Sequence, residues 1–153
     1  VSNSQGVFVP FAADDESART DPSQKSAAQV QETKIRILIV DDYSLFRFGL
    51  AGLVKMEPFF EVGGEAADGM EAIEFAQKLD PDVILMDVGL PGINGVEATR
   101  VIHQRKPEVR ITGLSMHEDP ERSQAMQDAG ASEYLSKGCS AAELIAAIRA
   151  DHA

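Results

Sequence analysis

The 153-residue sequence has a single cysteine, Cys139, and no tryptophan. One thiol excludes an intramolecular disulfide framework and a cysteine-rich zinc site, and it suits a reducing compartment. Cys139 itself is read as a small, partly buried side chain. Basic charge is also scarce: 14 Lys and Arg stand against 25 Asp and Glu, a formal net charge of −11. A field of that sign opposes nucleic acid and anionic membrane surfaces, so a basic DNA-reading face is excluded and this chain is expected to bind no nucleic acid itself. No run approaches the roughly 18 apolar residues that span a bilayer, and the N-terminus lacks a charged segment followed by an apolar secretory one. The expectation is a soluble cytoplasmic protein that does not engage membranes. Three histidines, His103, His117 and His152, fall in different predicted segments without a metal-ligand spacing. They are read as surface residues, with His117 placed at the rim of any site nearby.

What is present divides the chain in two. Residues 1–33 are rich in Ser, Gln, Ala and Asp, contain Pro10 and Pro22, and show no sustained apolar period; they read as a polar extension or linker. Within them the run Val7, Phe8, Val9, Pro10, Phe11 is an apolar segment suited to docking, on this domain or on a partner. A first residue of Val points to a processed, trimmed or engineered start. From Lys34 to Asp151 the pattern alternates short β-rich runs with helical ones, enough for one domain. Strands are predicted over Ile35–Val40, Phe59–Ala66, Val83–Met86, Val109–Leu114 and Glu133–Leu135. Helices are predicted over Ser44–Met56, Met70–Leu79, Val96–Arg105, Pro120–Ala129 and Ala141–Ala150. Continuous apolar strands such as Ile35–Val40 and Val83–Met86 suit a parallel sheet covered on both faces. The fold class is therefore α/β, a doubly wound (βα)5 domain, with Leu45, Phe46, Phe48, Leu50 and Leu53 of the first helix assigned to core packing.

In such sheets ligands bind beyond the carboxyl ends of the strands. There the first run ends in Asp41 and Asp42 and the third in Asp87. Three acids at one sheet edge raise one another's pKa unless a cation compensates them, and all-oxygen ligands suit a hard divalent ion, Mg²⁺ above all. The plainer alternative is that Asp41 or Asp42 caps the following helix. Ser115 follows the fourth strand, and Ser136 and Lys137 follow the fifth. A hydroxyl and an ammonium at that edge can hydrogen-bond and neutralise the oxygens of a phosphoryl group. The turn Val88-Gly89-Leu90-Pro91-Gly92-Ile93-Asn94-Gly95 allows close backbone approach to a metal or phosphate, as would a generic strand-to-helix loop.

With its motifs ILIVDD, ILMDVGLPGINGVEATR, ITGLSM and YLSKG, the segment from Lys34 to Asp151 resembles the receiver domains of two-component response regulators, and in its wording the NarL/LuxR subgroup. The resemblance implies a flavodoxin-like fold with a five-stranded parallel sheet of order 2-1-3-4-5 and helices on both faces. It implies Asp87 as the carboxylate phosphorylated by a histidine kinase or phosphotransfer protein. It further implies Asp42 as the main acidic Mg²⁺ ligand, the backbone carbonyl of Gly89 as another, and Asp41 acting through water. Ser115 matches the switch hydroxyl, Tyr134 the aromatic rotamer switch, and Lys137 the lysine that bonds the phosphoryl oxygens. The domain would not be an enzyme beyond its own phosphorylation and dephosphorylation, and its phosphorylation would drive a homodimer or effector release in the control of transcription. Subgroup members usually carry a helix-turn-helix domain after the receiver; its absence here suits either a stand-alone receiver or an effector cut away. Two positions depart from the family pattern. Gly138 stands where many members have proline, and Gly89 occupies a variable position beside the acceptor, leaving the site open and altering the phosphorylated lifetime. Competing readings are a receiver-like interaction module independent of phosphorylation and a metal-dependent aspartyl-phosphate hydrolase, the latter disfavoured because Gly89 stands where its general acid would be.

Overall fold

The computed structural model describes residues 33–150. Most of the expected N-terminal extension, including the Val7–Phe11 run, lies outside the described residues, as do Asp151 and His152. Five strands and five helices alternate: β1 (Ile35–Val40), α1 (Ser44–Lys55), β2 (Phe60–Ala66), α2 (Gly69–Leu79), β3 (Val83–Asp87), α3 (Gly95–Arg105), β4 (Arg110–Ser115), α4 (Pro120–Ala129), β5 (Glu133–Ser136) and α5 (Ala141–Arg149). The predicted elements are all present, with ends displaced by a residue at most. The strands form one sheet of order β2-β1-β3-β4-β5, every pair parallel, as the resemblance implied.

Strand periodicity explains the two layers. Along β1, Ile37 and Ile39 face one side, where they join Val83, Leu85 and Leu114 under Leu50 and Val54 of α1 and Leu144 and Ile148 of α5. Leu38 and Val40 face the other side, where Ile84, Met86 and Ile111 meet small residues of α2 and α3, such as Ala72 and Ala98, and Met126 of α4. A strand buried on both faces has no polar alternation to show, which is why β3 is buried at all five positions. The helices are started by side chains at their N-caps. Asp68 accepts from Glu71 N–H before α2, Asp119 caps α4 with Pro120 at its first turn, and Asn94 and Ser140 build capping boxes on α3 and α5. Gly130 ends α4 at φ 117, where a Cβ would run into the His103 ring. His103 is thus half-buried against that turn, with its Nδ1 buried, which corrects its assignment to the surface.

A second correction concerns α1. Leu50 is buried, and Phe46 and Leu53 pack against the core, but Leu45 is 66% and Phe48 76% exposed. They share the outer face with Gly49 and Gly52, beside whose Cα atoms there is open space. A 3.6-residue period cannot bury positions 45, 46, 48, 50 and 53 together. No helix among the described residues is long and apolar enough to cross a membrane.

Candidate functional site

Parallel pairing brings the carboxyl ends of β1, β3, β4 and β5 to one edge, in that order. Val40 pairs with Met86, Asp87 with Leu114, and Ser115 with Ser136, so the residues after the apolar runs emerge side by side. Asp41, Asp42 and Asp87 each offer a carboxylate oxygen, and these oxygens lie within 4.8 Å of one another. Asp41 and Asp87 are buried, while Asp42 is exposed.

Lys137 is drawn into this group. Its Nζ lies 2.7 Å from Asp41 Oδ2 and 3.3 Å from Asp87 Oδ1, and it sits 4.7 Å from the centroid of the Phe46 ring. Phe46, read from the sequence as packing alone, is therefore also the floor beneath the ammonium. Burial works against the Lys137 charge, but the close ion pair with Asp41 and the Asp87 carboxylate outweigh it and hold its pKa above the ordinary value. Asp87 is pushed up as well, first by burial and then by the Asp41 charge, against the pull of the Gly89 N–H and of Lys137. Gly89 N–H donates to Asp87 Oδ1 at 3.0 Å. Gly89 is itself exposed, and a Cβ there would meet only Asp87 Oδ1 within 4 Å, so this side of the acid is open. The tightness lies elsewhere in the turn: a Cβ on Gly95 would collide with the Asp87 carbonyl.

Neither acid of the first turn caps α1. The N-cap of α1 is Tyr43, which makes no side-chain cap bond. Asp41 Oδ1 instead accepts from Tyr43 N–H at 2.8 Å, fixing the turn that leaves the strand. The Asp41 carbonyl accepts from Arg47 Nη1 at 2.6 Å. Arg47 was not singled out in the sequence; the one available signal is a long cation inside an otherwise apolar helical run directly after the paired acids.

Ser115 is buried, and its carbonyl accepts from Lys137 N–H at 2.7 Å, which locks the two strand ends together. Its hydroxyl donates to the His117 carbonyl at 2.9 Å, so it is turned into the β4–α4 loop. Tyr134 is half-buried with its hydroxyl buried and unpartnered. Its ring fills the space a side chain at Gly113 would need. It also lines, with His117 and Ser136, a cavity of about 250 Å³ bordered by the start of α4. His117 is exposed near the site, as expected of a rim residue. Cys139 is half-buried, and burial together with the nearby Glu143 raises its thiol pKa, the behaviour of a packing residue.

The donor set fits a hard divalent cation. Three carboxylates converge with one ammonium between two of them, the oxygen atoms are all anionic, and no side chain among the described residues pairs with the Asp42 carboxylate.

Comparison with known proteins agrees with this geometry. The sequence profile of the response regulator receiver domain matches residues 37–149. The transcriptional regulatory protein DegU of Brevibacillus brevis is 47% identical over 121 residues, 79% of this chain and 51% of its own length. LiaR of Bacillus subtilis, also a transcriptional regulatory protein, is 42% identical over 116 residues, 76% of this chain and 55% of its own. The chain thus spans about half the length of these curated relatives. Among solved structures, a LuxR-family two-component response regulator from Aurantimonas sp. SI85-9A1 superposes with a TM-score of 0.74 at 39% identity, over 78% of this chain and 85% of that one. With its ordered acids, strand-end lysine and five-stranded parallel sheet, this chain belongs to the response regulator receiver domain family.

Proposed function

We propose that this domain is a phospho-acceptor: Asp87 takes a phosphoryl group from a histidine kinase or phosphotransfer protein, with Mg²⁺ held by Asp42, Asp87 and the Gly89 carbonyl, and by Asp41 through water. The observation that carries the reading is the asymmetry of the Asp87 carboxylate. Its Oδ1 is held by the Gly89 N–H and the Lys137 ammonium, while its Oδ2 accepts no protein hydrogen bond among the described residues. Oδ2 is therefore the free nucleophile. It attacks the phosphorus of a partner's phosphohistidine in line with the P–N bond. The bonding pair departs with the ring nitrogen, which takes a proton from solvent, and an aspartyl phosphate remains. Bound Mg²⁺ supplies positive charge to the transferring oxygens. Lys137, kept protonated by its two carboxylates, neutralises a phosphoryl oxygen without moving far, and Gly89 leaves the approach to Asp87 open. Dephosphorylation is attack of water on the same phosphorus, returning the carboxylate and inorganic phosphate.

The new dianion gives the Ser115 hydroxyl a stronger acceptor than the His117 carbonyl it now engages. Movement of Ser115 toward the phosphoryl group, followed by Tyr134, would reshape the surface of α4, β5 and α5 for homodimerisation or effector release. In this reading residues 34–151 form the receiver and residues 1–33 an extension or linker. In the same reading the protein acts in the cytoplasm and controls transcription, the role that the names of the transcriptional regulatory proteins DegU and LiaR give to those two.

Intact-protein mass after incubation with acetyl phosphate or phosphoramidate and Mg²⁺ tests the reading. Wild type is expected to gain one labile phosphoryl mass, lost at alkaline pH, and Asp87→Asn to gain none. No gain in wild type, with Mg²⁺ binding demonstrated, would assign the domain to phosphorylation-independent interaction.

A further inference from the structure

The two acids of the first turn are held very differently. Every polar atom of Asp41 is engaged. Its N–H donates to the Ala66 carbonyl at 3.0 Å, Oδ1 accepts from Tyr43 N–H at 2.8 Å, and Oδ2 pairs with Lys137 at 2.7 Å. Its carbonyl lies beyond the last ladder positions of β1, which pair Val40 with Ala66 and with Met86. It also lies before the helix, whose first backbone bond runs from Arg47 N–H to the Tyr43 carbonyl. No strand or helix amide reaches it, and without another donor it would be a buried, unsatisfied acceptor. Arg47 is that donor, through Nη1 at 2.6 Å. The same guanidinium is anchored at its Nε, 3.1 Å from Glu65 Oε1 on the edge strand β2. Asp42, by contrast, is exposed, and no side chain among the described residues pairs with its carboxylate.

The Asp41 carbonyl and the Asp42 amide are two ends of one planar peptide unit. Fixing that carbonyl fixes the plane, and with it the place of the Asp42 Cα and the N–Cα axis about which its side chain can turn. We propose that Arg47 is a positioning residue of the acidic site: braced on Glu65, it holds the Asp41–Asp42 peptide so that Asp42 presents its carboxylate to the divalent cation beside Asp87. The inference rests on the phospho-acceptor reading of that site. Arg suits the task because its planar fork reaches a carbonyl and a carboxylate at once, which a lysine ammonium does not reproduce in the same geometry. Partners that orient metal ligands commonly govern affinity by one to two orders of magnitude.

Positioning and simple electrostatics predict opposite signs. A guanidinium near three carboxylates disfavours a second cation, so its removal would tighten Mg²⁺ binding if charge were all that mattered. If Arg47 orients Asp42, its loss weakens binding. Calorimetric titration of the metal-free domain with Mg²⁺ alone, below the unfolding transition of each protein, separates the two. Arg47→Met and Arg47→Lys are both expected to raise the Mg²⁺ dissociation constant roughly tenfold. In phosphorylation by phosphoramidate both should raise the half-saturating Mg²⁺ concentration by a similar factor, with the rate at saturating Mg²⁺ changed less than about twofold. Wild type and variants must show the same single unfolding transition in EDTA. Affinities equal to or tighter than wild type in both variants would overturn the inference while leaving the acceptor role of Asp87 intact. Wild type that binds no Mg²⁺, indistinguishable from Asp42→Asn, would overturn the reading of the site and this inference with it.

Discussion

At the scale of single residues, Asp87 holds the balance between stability and chemistry. Burial is the main cause that lifts its pKa, and Asp41 adds to it. The folded state therefore keeps the Asp87 proton to a higher pH than the unfolded chain does. Between the ordinary carboxylate pKa of about 3.9 and that raised value, the folded protein binds more protons, and stability falls as pH rises. The favourable contribution is complete below the unfolded pKa and lost above the folded one, so at neutral pH the ionised acid is a cost. Asp87→Asn removes the charge and keeps the shape. In EDTA at pH 7 its urea midpoint should exceed that of wild type, and the two should converge as pH falls below about 4. Magnesium reverses the order: at one hundred times its dissociation constant it adds about 2.7 kcal/mol to a protein that binds it only when folded, and that gain should be lost or reduced in the variant. An Asp87→Asn midpoint below wild type in EDTA would mean that the Lys137 pairing outweighs the burial.

At the scale of elements, α1 shows what the sequence could and could not reveal. The strands were legible because a parallel strand covered on both faces is one apolar run, and the residues just after each run must emerge at the same edge. Asp41, Asp42, Asp87, Ser115 and Lys137 were found that way. The helix was legible in position but not in orientation, because Leu45 and Phe48 have core composition without core placement. The open space beside Gly49 and Gly52, two positions on that same outer face, likewise marks it as the solvent side. Arg47 was missed because its partners are a backbone carbonyl and a carboxylate on another strand, neither of which can be read from spacing. The two faces of α1 give a direct check. Leu50→Ala should cost about 2–4 kcal/mol through the cavity it leaves between α1 and the sheet. Phe48→Ser, at 76% exposure, should stay within about 0.5 kcal/mol of wild type in the same urea unfolding measurement. A large loss at Phe48 would mean that the outer face is covered in solution.

Across the whole molecule the site straddles a gradient of order. The three acids stand at the ends of β1 and β3, the central strands, whose Ile37–Val40 and Val83–Asp87 are buried throughout. Of the groups that would respond to a phosphoryl, Ser115 ends β4, Tyr134 lies in the edge strand β5 and Lys137 directly follows it. All four residues of β5 are only half-buried. Its neighbour α4 buries just Met126 and Ala129, between its cap at Asp119 and its Gly130 terminus. An arrangement of this kind separates the task of holding charge, which needs rigidity, from the task of reporting it, which needs a second conformation within reach. Native-state hydrogen exchange should show it. Amides of β1 and β3 are expected to exchange only through global unfolding, and those of α4 and β5 through a smaller opening of lower free energy. Phosphorylation with Mg²⁺ should change protection chiefly in α4, β5 and the loop from Met116 to Asp119 if, as proposed, Ser115 leaves the His117 carbonyl it now engages for the phosphoryl oxygens. Equal protection across the sheet, or a phosphorylation response confined to β1 and β3, would place the switch elsewhere in the molecule.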